Sequence, residues 1–239
     1  MFAFIRDIEN LNVLEEIGER WVSEVQNLGV IRASYHMSPA FYSQVHPETR
    51  IFYYGFSEEL IKLYDDPAFR KHDPIPDAVM QSGRPRTWRR ILADTELNEK
   101  QRQFVKLAGE LGMLDGFSVP LFGPNGRESY STFDIGRRIE ASDEQLLQTL
   151  MGIGQIAHVR ICTIVRDRFM RQVDLSPREL EVLRWAASAK SVADIATIVG
   201  LSNATVDTYM RRVYAKLGAH NKIEAVTIAL RHGLLRLGQ

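Results

Sequence analysis

The sequence predicts a two-domain α+β protein: an N-terminal α-β-α sandwich with a mainly antiparallel sheet, then a small all-α domain of four helices containing a helix-turn-helix. Three observations support this prediction. The 239 residues are more than one small domain needs. Amphipathic helices stand at both ends of the first 170 residues, around alternating β-rich runs, and four short capped helices follow. We expect domains at residues 1–165 and 175–239, joined by a charged linker at 166–174.

The elements of the first domain follow from hydrophobic periodicity. In "LNVLEEIGERWVSEVQNLG", Ile17, Trp21 and Val25 share one helical face, and Gly29 ends the helix. The other predicted elements are, in chain order, strands in "VIRASYHM" and "RIFYYGF", short helices near 57–64 and 74–82, a strand around "RTWRRIL", a helix in "NEKQRQFVKLAGELG", a hairpin of "GFSVPLF" and "ESYSTFDIG", and a long helix to about Met170.

The last seventy residues carry clear helix start and stop signals. "SPRE" is a capping box with proline in the first turn, "SVAD" and Ser202 open two more helices, and "NKIE" opens a fourth. Only "GLS" joins the second helix to the third, which is the short glycine-containing turn of a helix-turn-helix.

The third of these helices has one apolar stripe and one polar face. The stripe, which must face the core, consists of Val206, Met210, Val213 and Leu217. The polar face carries Asp207, Thr208, Arg211 and Arg212, and a helix of this kind fits the major groove of DNA. Phosphate contacts are expected from Thr205, Arg212, Lys216 and Lys222. The alternative is a helical bundle with solvated charges, in which Asp207 and Arg211 form only an exposed ion pair.

Composition narrows the class of protein. Hydrophobic residues make up 45% and charged residues 25%, as in ordinary globular proteins. The single cysteine, Cys162, excludes an internal disulfide and fits a reducing cytoplasm, and the apolar runs are too short to cross a membrane. Residues 1–170 carry 20 basic against 24 acidic residues, a net charge of −4, whereas residues 171–239 carry 10 against 6, a net +4. The basic second domain indicates a polyanionic partner.

With these motifs, the second domain resembles the DNA-binding domain of the LuxR family. The matching features are "SPRE" with "VLRWAA", "DIA", "TV", "KLG" and the closing "GLL". The resemblance implies that Asp207, Thr208 and Arg211 face the bases. The sequence departs from the family at Ala189, Asp194 and Tyr209, and an acidic Asp207 should alter the base sequence that is read, since it can accept from cytosine N4.

The first domain resembles the autoinducer-binding domain of quorum-sensing LuxR regulators. A phosphoacceptor receiver would alternate βα from its start, and an ATP-using regulator would contain a Gly-rich phosphate loop; the sequence shows neither pattern. The spacing from Tyr64 to "DP" at Asp73, then to Trp88 and "DGFSVPL", does match the autoinducer-binding pattern.

The resemblance implies specific roles in a ligand pocket. Asp73 would accept a hydrogen bond from the amide N–H of an acyl-homoserine lactone, Trp88 would close the pocket, and Tyr64 would line it. Ser131 or Thr132 would offer a hydroxyl to the acyl carbonyl. Each role has a structural alternative, because Asp73 precedes a proline as helix caps do, and buried aromatic residues usually only pack.

One departure from the family affects the ligand directly. Leu60 and Phe56 stand where the family usually has a tryptophan, which donates to the lactone carbonyl, and a tyrosine. Tyr53 or Tyr54 could supply the missing contact if the loop is shifted. A lost donor to a buried carbonyl costs about 1–3 kcal/mol, so the ordinary lactone could bind weakly, bind differently or not be the signal.

The sequence therefore predicts a cytoplasmic transcriptional regulator without a cofactor or a membrane contact. Its expected partners are a small signal molecule, a second copy of the chain, double-stranded DNA with a two-fold symmetric site, and RNA polymerase. The alternative is a regulator whose first domain has lost its ligand and serves only for dimerisation. A remote alternative, an enzyme, is disfavoured because G-x-S-x-G and H-E-x-x-H motifs are absent from the sequence.

Overall fold

A computed structural model describes residues 1–170 and 172–236. The chain divides into two compact units, with the division between Cys162 and Thr163. The predicted fold class is confirmed: a unit of helices and an antiparallel sheet precedes a helical unit. The predicted linker at 166–174 stays a prediction, and its first residues continue a long helix that ends at Met170.

The first unit begins with two helices and then alternates strands and helices. The helices are α1 (Phe2–Asn10), α2 (Leu14–Asn27), α3 (Glu58–Asp65), α4 (Pro67–Arg70), α5 (Ile75–Ser82), α6 (Trp88–Asp94), α7 (Glu99–Glu110) and α8 (Glu144–Met170). The strands are β1 (Arg32–Met37), β2 (Arg50–Tyr54), β3 (Arg86–Thr87), β4 (Phe117–Phe122) and β5 (Glu128–Asp134). None of these described helices, nor any in the second unit, has the length and hydropathy of a membrane span.

The five strands form one antiparallel sheet in the order β2-β1-β5-β4-β3. Because side chains alternate along a strand, the register decides which residues share a face. Ser34 pairs with Thr132 and His36 pairs with Tyr130, so these four side chains lie on one face. Tyr35 and Met37, and their partners on β5, lie on the other.

Helices cover both faces of the sheet, as an α-β-α sandwich requires. On the Ser34 face, side chains from α3, α5, α6 and α7 surround a cavity. On the Tyr35 face, α2 and α8 contribute the fully buried Ile17 and Ile153 and the nearly buried Trp21, whose ring lies 5.8 Å from that of Phe133.

The second unit consists of α9 (Pro177–Ala187), α10 (Val192–Val199), α11 (Asn203–Leu217) and α12 (Lys222–Arg231). The predicted caps are present, since the hydroxyls of Ser176, Ser191 and Ser202 each accept a backbone N–H of the first turn. Gly200 ends α10 with a φ of 68°, in the left-handed region that glycine adopts readily. The four predicted helices and the tight turn between α10 and α11 are thus confirmed.

One predicted element of the first unit is wrong. "RTWRRIL" is a strand only at Arg86–Thr87 and then becomes α6. The Thr87 hydroxyl accepts from the Arg90 N–H, so this residue is an N-cap, and its capping role outweighs the β propensity of the aromatic and branched residues around it. The short helix α4 and the helix α1 were not among the predicted elements.

Candidate functional site

The cavity on the Ser34 face is enclosed mainly by apolar side chains. Its volume is about 80 Å³. Its apolar lining consists of Phe56, Leu60, Ile61, Ile75, Leu92, Phe104, Val105, Ala108 and Met113, and its polar or aromatic lining of Ser34, His36, Tyr53, Tyr64, Asp73, Trp88, Tyr130 and Thr132. A concave, mostly apolar space with a few convergent polar groups is typical of a small-molecule site.

Asp73 uses its two carboxylate oxygens differently. Oδ1 accepts the Ile75 N–H at 2.9 Å and so caps the first turn of α5. Oδ2 accepts the hydroxyl hydrogen of Tyr64 at 2.5 Å, and the side chain lines the cavity. Burial raises the pKa of Asp73 to about 6, although both hydrogen bonds oppose the rise. The cap and the cavity position, which the sequence left as alternatives, are therefore compatible.

Tyr64 is held from several sides. Its ring lies edge-on to His36, with 5.7 Å between the ring centroids, and burial raises the pKa of its hydroxyl well above the usual range. The guanidinium of Arg70, only 2% exposed, donates to the Tyr64 carbonyl at 3.0 Å and to the His46 carbonyl at 3.0 Å. Arg70 thereby fixes the end of α3 against the loop between β1 and β2.

Trp88 lines the cavity at the end of β3, and its indole N–H is already bonded within the protein. Nε1 donates to Ser118 Oγ at 2.8 Å and to Thr132 Oγ1 at 3.0 Å. A Cβ at Gly116 would lie 2.4 Å from the indole ring, so only glycine lets this ring lie against the strand. The ring supplies a wall, whereas its N–H orders the hydroxyls beside it.

The predicted hydroxyl pair on β5 is divided between the two faces of the sheet. Thr132 lines the cavity. Ser131 does not: its hydroxyl donates to the Ser34 carbonyl at 2.7 Å, and its side chain points to the other face. Of the two predicted hydroxyls, that of Ser131 is therefore wrong, because successive side chains of a strand point to opposite faces of the sheet.

The same alternation of side chains decides which tyrosine of β2 lies at the cavity. Tyr53, and not Tyr54, lines the cavity, and the Tyr53 hydroxyl donates to Asp65 at 2.7 Å. Phe56 and Leu60 both line the cavity, so an apolar surface replaces the two hydrogen-bonding aromatics usual in the family. The hydroxyl of Tyr53 is committed to Asp65 and does not replace the missing donor.

The exposed face of α11 carries the predicted base-facing residues. Asp207 and Arg211 are exposed, and Thr208 is half-buried. They form no ion pair in the described part of the chain; Arg211 instead donates to the Thr208 hydroxyl at 3.3 Å. Arg212 lies 5.9 Å from the Tyr209 ring centroid, on the same helix. The simple ion-pair alternative for Asp207 and Arg211 is thus not realised.

Lys216 has a different role from the predicted phosphate contact. Its ammonium lies 2.7 Å from the Glu179 carboxylate and donates to the Asp174 carbonyl at 2.7 Å. Glu179 is only 3% exposed and also completes the capping box of α9 through the Ser176 N–H. Lys216 therefore joins α11 to α9, and its contact with phosphate stays a prediction.

Lys222, another of the predicted phosphate contacts, lies near the base-facing residues. Lys222, at the start of α12, lines a shallow depression together with Asp207 and Arg211, and Lys190 lines its other side. Sequence reasoning missed Lys190 because it lies in the turn after α9, where no helical phase indicates its direction. Three cations around one depression suit a phosphate backbone. Thr205, half-buried in the first turn of α11, bonds to the Ser202 hydroxyl at 2.8 Å.

A buried small-molecule cavity and a helix-turn-helix with an exposed basic face define a ligand-sensing, DNA-binding class of regulator. Two family models match the chain: the autoinducer binding domain over residues 14–161, and the bacterial regulatory proteins of the luxR family over residues 173–229. The chain belongs to the quorum-sensing LuxR-type transcriptional regulators, and it is not an enzyme.

Named relatives align with most of the chain. The quorum sensing-dependent regulator RpaR of Rhodopseudomonas palustris is 28% identical over 77% of this chain and 74% of its own. The activator AnoR of Acinetobacter nosocomialis is 28% identical over 92% of each chain. Among solved structures, Escherichia coli SdiA matches with a TM-score of 0.73 at 22% identity over 98% of each chain, which shows the shared fold.

A second solved structure matches part of the chain. CepR2 of Burkholderia cenocepacia, described as an N-acylhomoserine lactone dependent factor, matches with a TM-score of 0.52 at 17% identity. It covers 65% of this chain and 92% of its own. At this identity the likeness again concerns the fold alone.

Proposed function

We propose that this regulator responds to an acyl compound with an amide N–H, an acyl-homoserine lactone or a related acyl amide, bound in the cavity beside Asp73. The observation that carries the proposal is the Asp73 carboxylate: one oxygen caps α5, and the other lies at the cavity wall beside Tyr64. A buried carboxylate gains most from a further donor, because its desolvation is otherwise uncompensated. The apolar remainder of the cavity suits an acyl chain.

The named relatives support an acyl ligand. CepR2 is described as dependent on an N-acylhomoserine lactone, and SdiA has been solved in complex with octanoyl-rac-glycerol. An octanoyl ester shares its chain and carbonyl with an acyl lactone but has neither the lactone ring nor the amide. The class of ligand that we assign is therefore defined by an acyl chain and a hydrogen-bond donor for Asp73. A lactone ring is not part of this definition.

Leu60 sets the limit on the head group. No donor stands at this position, so a lactone carbonyl here loses a hydrogen bond worth about 1–3 kcal/mol when its acceptor is left buried. We expect Leu60→Trp to improve the binding of an octanoyl-homoserine lactone. Binding by Leu60→Trp but not by wild type would show that wild type disfavours the lactone head group. Binding by neither protein would show that the cavity takes no acyl-homoserine lactone.

The test is a thermal shift of the full chain with acyl-homoserine lactones and aromatic-acyl analogues. Wild type should gain stability with the matching ligand, whereas Asp73→Asn should lose this gain and keep its ligand-free stability near wild type. Asparagine still caps a helix, but without the charge its bond to the ligand is about half as strong. Asp65→Asn is the matched control, since this exposed carboxylate accepts from Tyr53 outside the cavity and should leave the shift unchanged.

The alternative of a ligand-independent regulator has one observation in its favour. The hydroxyls and the indole that face the cavity are bonded to one another: Trp88 to Ser118 and Thr132, and Ser118 to Tyr130 at 2.9 Å. Such a network is satisfied without a ligand. If neither wild type nor Leu60→Trp is stabilised by any compound of the panel, the signal belongs to another chemical class or the first unit binds none.

For the second unit we propose that two chains bind a two-fold symmetric DNA site, with Asp207, Thr208 and Arg211 at the bases and Thr205, Arg212 and Lys222 at the phosphates. The exposed position of Arg211, free of a carboxylate partner in the described chain, supports this assignment. RNA polymerase is the further partner, since several relatives are named transcriptional activators, and the cytoplasm is the proposed location.

The DNA assignment is tested by selecting preferred sites with wild type and Arg211→Ala. The variant should lose about 1–3 kcal/mol of affinity and relax preference at one base pair. Loss of affinity with unchanged base preference would show that Arg211 does not read a base.

A further inference from the structure

A second cavity lies on the Tyr35 face of the sheet, separated from the first by the sheet itself. Its volume is about 100 Å³, similar to that of the first cavity. Its walls are α2, α8, β1 and β2, and its lining consists of Leu14, Glu15, Ile17, Gly18, Trp21, Tyr35, Met37, Arg50, Phe52, Ala157 and Ile161. None of these residues belongs to the Asp73 site.

One polar atom in this lining lacks a partner. Trp21 is 3% exposed, and its indole N–H finds no acceptor among the described residues. A buried N–H without an acceptor has lost its bond to water without replacement, so native proteins rarely keep one without a reason. The contrast with Trp88 is direct, since Trp88 donates to two hydroxyls in the first cavity. An acceptor oxygen entering the second cavity would satisfy Trp21.

The ring of Phe52 lies against α2 because the second turn of this helix holds a glycine. A Cβ at Gly18 would lie 2.3 Å from the ring of Phe52, so glycine allows this ring to lie across α2. Phe52 is 40% exposed although it lines the cavity, which places it at the opening. Glycine is less favourable than alanine inside a helix, and here it gives room beneath an aromatic side chain.

The charges at the opening restrict the head group. Glu15 and Arg50 are both exposed and both line the cavity, and neither forms an ion pair in the described residues. One charge of each sign favours a neutral polar group, which can donate to Glu15 and accept from Arg50. A free carboxylate would gain from Arg50 but be opposed by Glu15.

We propose that this cavity is a second binding site for a neutral acyl ester or amide, whose carbonyl oxygen accepts from Trp21 Nε1 and whose chain lies between α2, α8 and Phe52. The site is independent of the ligand assigned to Asp73. Two of its walls, Ala157 and Ile161, belong to α8, the helix that runs to Met170 and connects the first unit to the second. Occupancy therefore acts on the helix that precedes the DNA-binding unit.

The three indole N–H signals of the full chain test the proposal. Trp21 lies in the second cavity, Trp88 in the first, and Trp185 in α9 of the other unit, so nitrogen-15 spectra report each place separately. The probe is 1-octanoyl-rac-glycerol, which is neutral and carries an ester carbonyl. We expect the Trp21 signal to move downfield and saturate as its hydrogen gains an acceptor, while the Trp185 signal stays in place.

Two variants separate the cavities. Ala157→Leu fills the second cavity and should abolish the Trp21 shift, whereas Ala108→Leu fills the first and should leave it. Trp21→Phe keeps an aromatic ring without the N–H and should weaken binding at this site about three- to ten-fold, the value of one neutral hydrogen bond. Its melting transition and circular dichroism provide the check on folding.

Each remaining outcome decides between the two sites. A Trp21 signal that does not move at saturating probe overturns the proposal, as does a shift that Ala108→Leu abolishes and Ala157→Leu preserves. A Trp21 shift without any Trp88 shift supports the second site and counts against an acyl ester in the first.

Discussion

The two units place their polar groups in opposite surroundings. In the first unit the groups around the cavity bond to one another away from water, as Tyr64 does to Asp73. In the second unit Arg211 and Lys222 stand on the surface, exposed to solvent. Electrostatic interactions are strong and weakly screened in a dry site, whereas salt screens those at a surface. The first unit should therefore respond to protonation and ligand, and the second to ionic strength.

The ion pair between Lys216 and Glu179 is a partly buried interaction in the second unit. Glu179 is almost fully buried, and Lys216 is 39% exposed, so this ion pair lies partly out of water. The sequence pattern assigned Lys216 to the surface that binds phosphate. Its position in the last turn of α11 brings it against α9.

The largest expected effect tests this exception. Lys216→Met removes the partner of a buried carboxylate and should lower the free energy of unfolding of the second unit by about 2–3 kcal/mol, less than for a fully buried pair because Lys216 is partly solvated. Chemical denaturation followed by circular dichroism measures the change. Lys222→Met, with an exposed ammonium, is the control and should change stability by less than about 0.5 kcal/mol. Equal stability of both variants would show that the contact between Lys216 and Glu179 contributes little to the stability of the second unit.

The next effect belongs to the first unit. Trp88→Phe keeps the aromatic wall but removes a donor from Ser118 and Thr132, both buried, and should destabilise the unit by about 2 kcal/mol. Thermal unfolding of the full chain measures it, with Trp185→Phe as the control, because Trp185 is only partly buried. A stability loss no greater than that of Trp185→Phe would mean that the indole hydrogen bonds contribute little.

Local signals predicted the second unit better than the first. Capping boxes and a 3.6-residue stripe act within one helix, so the bounds of α9 to α12 and the buried face of α11 could be predicted. The cavity depends on strand register: whether Ser131 or Thr132, and Tyr53 or Tyr54, faces the ligand follows from pairing with β1. The sequence also gave no sign of Arg70 or Ser118, whose partners lie on other elements.

A smaller effect is expected from Asp73 as pH changes. Burial raises the pKa of Asp73 in the folded chain from 3.8 to about 6, so the folded state holds a proton that the unfolded state releases between these values. The contribution to stability is greatest below about pH 4 and declines as pH rises through 6, by about 1–2 kcal/mol after solvent screening.

Urea denaturation at several pH values measures this decline as the difference between wild type and Asp73→Asn. That difference should fall between pH 4 and 7. A ligand that donates its amide N–H to ionised Asp73 should bind more tightly above pH 6. A flat difference for Asp73→Asn would mean that the carboxylate is ionised throughout this range.

The smallest effect concerns one exposed charge and brings the comparison to DNA. Lys222 lines the same depression as Arg211, and we expect it to contact one phosphate. Lys222→Ala should lower affinity for all DNA sequences alike, by less than about 1 kcal/mol at physiological salt, and reduce the slope of log K against log salt by about 0.9 per chain. Fluorescence anisotropy at four salt concentrations, with specific and scrambled duplexes, measures both quantities. If the slope is unchanged while affinity for the specific duplex alone falls, Lys222 acts in base recognition and the surface charges of this unit are not interchangeable.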